Sequence, residues 1–91
     1  MTDSRYAVQV SRGAARDLRR LPPRIAVAIV EFITAVLPEN PARLSKPLTG
    51  DLAAYRSARR GDYRVLIRVD ESERTVLVIR VDHRAHAYRP M

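Results

Sequence analysis

The sequence predicts an α+β fold: a small antiparallel sheet with an N-terminal strand and a two-helix hairpin packed on one face, in the order β-α-α-β-β-β. Three observations predict it. A short alternating segment opens the chain, two segments of helical periodicity follow around Pro22-Pro23, and two strand-like runs flank the polar turn Asp70-Glu71-Ser72-Glu73. At 91 residues the chain fits a single domain over residues 1–91.

The elements follow in order. Tyr6, Val8 and Val10 alternate with Ala7 and Gln9, the period of a half-buried or edge strand. Ser11 is placed to cap a helix from about Arg12 to Leu21, with Ala14, Leu18 and Leu21 on one side. Pro22-Pro23 ends it, because a proline disfavours helical backbone at the residue before it. Pro23 suits the first turn of a second helix. There Ile25, Ala28, Ile29, Phe32, Ile33, Val36 and Leu37 recur at three- and four-residue steps, an apolar stripe that reads as core. Pro38 and Asn40-Pro41 close it, and Pro41 to Asp51 is predicted to be a loop. A strand is entered near Tyr55. Tyr63 to Val69 and Arg74 to Asp82 then form a hairpin.

Composition narrows the function. Hydrophobic residues make up 46% of the chain, enough for a core. There is no cysteine, which excludes a disulfide framework and a cysteine-ligated zinc site. No run approaches the ~18 apolar residues of a membrane span, and the first ten residues do not read as a signal peptide. The expectation is a cytoplasmic protein with no membrane partner. Lys+Arg number 17 against 10 Asp+Glu, a net charge of +7, and every basic residue except Lys46 is arginine. Such a charge on a small domain points to a polyanion or an acidic protein partner. Arginine also holds phosphate through two parallel hydrogen bonds.

Alternation along Tyr63–Val69 puts Val65, Ile67 and Val69 on one face and Arg64, Leu66 and Arg68 on the other. With the helices covering the first face, the second is open and cationic. Arg56, Arg59 and Arg60 approach the same sheet, and Arg80 and Arg84 lie on and after the last strand. Like charges crowded on one sheet face repel one another, which is tolerable when an anion occupies it. The tail gathers His83, Arg84, His86 and Tyr88. Histidine titrates near pH ~6.5, and a tyrosine ringed by arginines is pulled below its ordinary ~10, so any of the three can carry a proton. Asp82, His83 and His86 lack a further ligand to complete a metal site, so no metal and no other cofactor is expected. No nucleophile constellation and no phosphate-cradling glycine loop is present; Gly13, Gly50 and Gly61 are dispersed.

The segments KPLTGDLAAYRSARRGDYRVLIRVD and VLVIRVDHRAHAYR, with the opening YAVQVSRGAARDLRRLPPRIAVAIVEFI, resemble the RelE/ParE superfamily of bacterial toxins, closest to the RelE branch. The most specific part is Gly61-Asp62-Tyr63-Arg64-Val65 followed by His83-Arg84 and Tyr88. The resemblance implies a toxin that cleaves mRNA in the ribosomal decoding site, is silenced by a cognate antitoxin that wraps it, and meets operator DNA only through that antitoxin. By position Arg64 matches the arginine that steadies the phosphate under attack, Arg84 a second catalytic arginine, and Tyr88 the terminal tyrosine. Arg56 or Arg59 matches one member of the basic pair on the preceding strand; the neighbouring positions depart from the pattern.

The chemistry is sufficient in kind. RNA brings its own nucleophile, the 2′-hydroxyl. The protein then supplies a base, an acid for the leaving 5′-oxygen and cations for the crowded phosphate. The alternative is a ParE-like toxin that poisons DNA gyrase by binding alone. The tail with His83, Arg84 and Tyr88 speaks for the enzyme, because a binder has no use for proton carriers.

Overall fold

A computed structural model describes residues 5–83, apart from the side chain of Leu52. Five strands form one mixed sheet against two helices: β1 (Ala7–Val10), α1 (Arg12–Arg20), α2 (Pro23–Glu31), β2 (Ser45–Pro47), β3 (Arg56–Arg60), β4 (Tyr63–Asp70) and β5 (Thr75–His83). The sheet order is β1-β5-β4-β3-β2. Pairing is antiparallel throughout except that β1 runs parallel to β5, from Ala7 beside Thr75 to Val10 beside Val78. The α+β class and the helical layer stand as the sequence predicts, but the sheet is mixed rather than wholly antiparallel. Alternation in Tyr6–Val10 announces a strand; it carries nothing about the direction of a partner far along the chain.

Ser11 caps α1 from its hydroxyl, accepting the Ala14 N–H at 3.0 Å and donating to the Ile79 carbonyl at 2.8 Å. One side chain thus satisfies a helix terminus and fastens it to β5. Gly13 sits where that contact is closest: a Cβ there would lie 3.3 Å from Cδ of Arg80. α1 stops before Pro22, and α2 starts with Pro23 in its first turn. The stripe read as one helix to Leu37 changes form at Phe32. A wide π turn spans Phe32–Val36 and a tight 3-10 turn spans Leu37–Glu39. Pro38 has no N–H to continue an α ladder and its ring crowds the carbonyl four residues back. The Thr34 hydroxyl meanwhile bonds the Val30 carbonyl at 2.8 Å, a back-bond that loosens helices. The change of pitch leaves Val36 44% exposed while Phe32, Ile33 and Leu37 stay buried.

The core joins Ala14, Ile29, Phe32, Ile33 and Leu37 to Ala58, Val65, Ile67, Val76, Val78 and Val81 of the sheet. The inward set on β4 is the one alternation assigned. On β5 the set shifts: Leu66 pairs with Arg80 but Ile67 with Val78, so Ile79 is an extra, bulged residue. β2 lies where a loop is predicted. It is three residues long and carries Lys46 and Pro47, which suit an edge strand and hide it from pattern reading.

The β3–β4 turn is two residues, Gly61-Asp62, with Gly61 at φ +61°. A hairpin with glycine in its first central position fixes register, and here it sets Arg59 opposite Arg64. Gly61→Val should therefore destabilise the fold by about 1–2 kcal/mol, the usual cost of left-handed backbone for a residue with a Cβ. Urea unfolding of the purified variant checks this, and an unchanged midpoint would contradict it.

Candidate nucleic-acid interface

Register divides the candidate residues between the two faces of the sheet. Tyr63, Val65 and Ile67 of β4 lie on the helix side. Arg64, Leu66 and Arg68 lie on the open side. Across the open face Arg59 stands opposite Arg64, and Arg64 stands opposite Asp82. One row over, Lys46 stands opposite Ser57, and Ser57 opposite Leu66. Directly opposed residues hold their Cβ atoms roughly 4.5–5.5 Å apart, close enough for two arginines to grip one phosphate.

This end of the open face is a hollow of about 490 Å³, lined by Arg43, Leu44, Lys46, Leu48, Ser57, Arg59 and Arg64, among others. Every ionisable side chain named there is a cation. Among the described residues no carboxylate pairs with Arg43, Lys46 or Arg59. A larger hollow, about 580 Å³, occupies the other end of the same face. It is edged by Arg68 but also by Asp70, Glu71 and Glu73, and a phosphate chain would meet repulsion there. Asp70 is held anionic: its carboxylate accepts from the Ser72 hydroxyl at 2.7 Å and the Glu73 N–H at 3.1 Å, which lowers its pKa below the usual carboxylate range. The sign of the face thus reverses over the four residues from Arg64 to Arg68, roughly 13 Å of strand.

The other sequence-predicted residues separate accordingly. Arg59 and Arg64 share the basic hollow, and Arg68 is at the acidic end. Arg60 pairs with Tyr63, at the turn end of β3 on the helix-side row. Arg80 is turned onto α1. Its Nε donates to Asp17 at 2.8 Å and its Nη2 at 3.3 Å, and Asp17 raises the Arg80 pKa through these bonds. Arg56 likewise spends its guanidinium on protein, donating to the Ser45 hydroxyl at 2.7 Å and to the Ala42 and Ser45 carbonyls at 2.9 and 3.0 Å. Counting arginines on an alternating strand cannot reveal such prior engagements. His83 stands opposite Tyr63, their rings meeting edge to face at 5.3 Å. Register therefore puts it on the helix-side row, on the opposite face of the sheet from Arg64. Arg84, His86 and Tyr88 lie outside the described residues. Among the described residues no cluster of His, Asp and Glu has the makings of a metal site, and no helix is long and apolar enough to cross a membrane.

Arg43 and Lys46 were not singled out from the sequence. Both fall in the stretch read as a loop, and the only signal available was their charge.

Residues 8–88 match the family described as ParE toxin of type II toxin–antitoxin system, parDE. A curated relative, toxin RelG of Mycobacterium tuberculosis, is 51% identical over 84 residues, covering 92% of this chain and 97% of RelG. The chain belongs to the RelE/ParE family of type II toxins. Within that family its similarity runs to RelE-named members. Toxin RelE of the same organism is 48% identical, with 96% of this chain and 90% of RelE covered. The crystal structure of the toxin–antitoxin complex RelBE2 of M. tuberculosis contains a chain 49% identical, superposing at a TM-score of 0.87 over 92% of this chain and 97% of that one. The RelE-like fold expected for this RelE/ParE toxin is the fold it has: one sheet with a helical layer on one face and an open second face that is basic at one end.

Proposed function

We propose that this toxin is a ribosome-dependent mRNA endonuclease of the cytoplasm, neutralised by a cognate antitoxin. The observation that carries the reading is the Arg59–Arg64 pair facing a basic hollow on the open side of the sheet. In this reading the RNA 2′-hydroxyl attacks its own phosphate, and Arg64 binds the non-bridging oxygens more tightly as their charge grows. Arg84 adds a second cation. Tyr88 or His86 takes or returns a proton; His83 is the weaker choice because Tyr63 holds it at the other face. No step calls on a metal. The likeness to RelE and RelG favours this over gyrase inhibition by binding, although the matching family bears the ParE name.

Support for the antitoxin comes from the same charge. A segment bearing acidic residues complements a domain of net charge +7, and in occupying the hollow it would exclude RNA. Such a segment, disordered alone, orders on binding.

A domain of this size offers a long RNA little to grip by itself, whereas rRNA phosphates surround a toxin bound to the ribosome. Cleavage of ribosome-bound mRNA is therefore expected to be strong and that of naked mRNA weak. A comparison of initial rates on the two substrates checks this, and equal rates would remove the ribosome from the reading.

A further inference from the structure

The basic hollow has two walls, and only one is accounted for by the proposed cleavage. Arg59 and Arg64 form the strand wall. The other is the stretch from Arg43 to Leu48, which contributes two more cations, Arg43 and Lys46, and two leucines, Leu44 and Leu48. Arg43, Lys46 and Pro47 are exposed, and Leu44 is 38% exposed. Cations interleaved with apolar side chains match a single strand of RNA, in which phosphates alternate with bases that have hydrophobic faces.

This wall is not a loose surface loop. The Arg43 N–H donates to Oδ1 of Asn40 at 3.2 Å and the Leu44 N–H to the Asn40 carbonyl at 3.1 Å. The Ser45 hydroxyl donates to the Pro41 carbonyl at 2.6 Å and accepts from Arg56 Nε at 2.7 Å. Arg56 Nη2 then reaches the Ala42 and Ser45 carbonyls. Arg56 pairs with Ile67, whose side chain is buried on the helix side. Its guanidinium thus binds the backbone that presents Arg43 and Lys46, while Lys46 itself projects on the open row with Ser57. Preorganised cations lose less entropy on binding than cations on a mobile loop.

We propose that Arg43 to Leu48 is a second RNA-holding wall of the site, with Arg43 and Lys46 gripping the phosphates beside the scissile one, and that Arg56 is a positioning residue that holds this wall. The inference rests on the RNA reading of the hollow and assigns its neighbouring subsite.

The test is equilibrium binding of a short 2′-O-methyl RNA, which cannot be cleaved, followed by fluorescence anisotropy over a series of salt concentrations. For single strands the log–log salt slope is about −0.7 per phosphate neutralised, so Arg43→Ala/Lys46→Ala should flatten the wild-type slope by about 1.4. Arg20→Ala/Arg24→Ala, two exposed arginines outside the hollow, is the matched loss of two charges and should leave most of the slope. Arg56→Ala should weaken binding in the wild type yet add nothing in the Arg43→Ala/Lys46→Ala background. A residue touching phosphate itself would instead flatten that background by a further ~0.7. Ser45→Ala, which keeps the Arg56 charge but removes the hydroxyl that accepts from its Nε and leaves the two carbonyl contacts, should weaken binding in the same direction by a smaller amount and serves if Arg56→Ala does not fold. An unchanged slope in the folded double variant overturns the second wall, and unchanged affinity in Ser45→Ala together with a further effect of Arg56→Ala overturns the positioning role. A wild type with no salt-dependent binding would instead overturn the RNA reading of the whole hollow, and the second wall with it.

Discussion

Arg64→Ala should lower the rate of mRNA cleavage on the ribosome by roughly 10²–10³, about 3–4 kcal/mol of transition-state stabilisation, by analogy with the loss of one preorganised donor in other enzymes. Arg64 is half-buried on the central strand, at the basic end of the open face, flanked by Arg59 on β3 and Asp82 on β5. Strand pairing on both sides fixes its Cα and the open-side row on which its side chain projects. The phosphorane-like transition state carries more negative charge than the diester. A fixed cation therefore favours the transition state over the ground state and raises the rate rather than merely the affinity. Arg64→Lys should recover only part of the loss, because an ammonium keeps the charge and not the planar fork. Tyr88→Phe should slow cleavage while leaving affinity nearly intact, as expected of a proton carrier. Single-turnover cleavage under saturating ribosomes separates the two effects. Wild-type rates in Arg64→Ala would remove the assignment.

The largest effect on stability is expected at Asp17. Its carboxylate is nearly buried and accepts three hydrogen bonds, two from Arg80 and one from the Val81 N–H at 2.9 Å. Val81 is a core residue just past the bulge at Ile79, so this N–H has no water to turn to. Asp17→Ala leaves a buried donor unsatisfied and an arginine without its anion. The expected cost is about 2–3 kcal/mol. In a domain of this size that lowers the thermal midpoint by roughly 10–20 °C. Asp17→Asn keeps an acceptor oxygen for Val81 and should lie between the two. A midpoint within a degree or two of wild type in Asp17→Ala would contradict this role. The contact also explains why Arg80, an exposed arginine on a strand next to the open face, is held by α1.

The reach of the sequence can be traced residue by residue. The β4–β5 hairpin was legible because Val65, Ile67, Val76 and Val78 alternate in two uninterrupted runs, and α1 because Ser11 and Pro22 mark its ends. β2 was not legible, since three residues including a proline carry no periodicity. The π turn at Phe32–Val36 was not either, because an apolar stripe looks alike in α and π geometry until Pro38 is allowed to act on it. In the site, alternation set the face of Arg64 and Arg68 but left that of Arg59 to the register and gave no warning of the carboxylates beside Arg68. It also could not report that Asp17 and the Ser45 turn had already engaged Arg80 and Arg56. These contacts join residues up to 63 positions apart, and one-dimensional spacing holds no trace of them. The placement of His83 beside Tyr63 is different in kind: it follows from counting back from the hairpin turn, once the bulge at Ile79 is known.

The most direct measurement of the central claim is the chemistry of the RNA ends produced by the purified toxin on mRNA-programmed ribosomes, run beside a DNA gyrase supercoiling assay. An RNA 2′-hydroxyl attacking the adjacent phosphate leaves a 2′,3′-cyclic phosphate, or the monophosphate formed from it by hydrolysis, and a 5′-hydroxyl on the downstream piece. The expected result is fragments with those ends, abolished by the cognate antitoxin and strongly reduced in Arg64→Ala, with supercoiling unaffected. Intact mRNA together with inhibited supercoiling would contradict the account and assign the protein to gyrase.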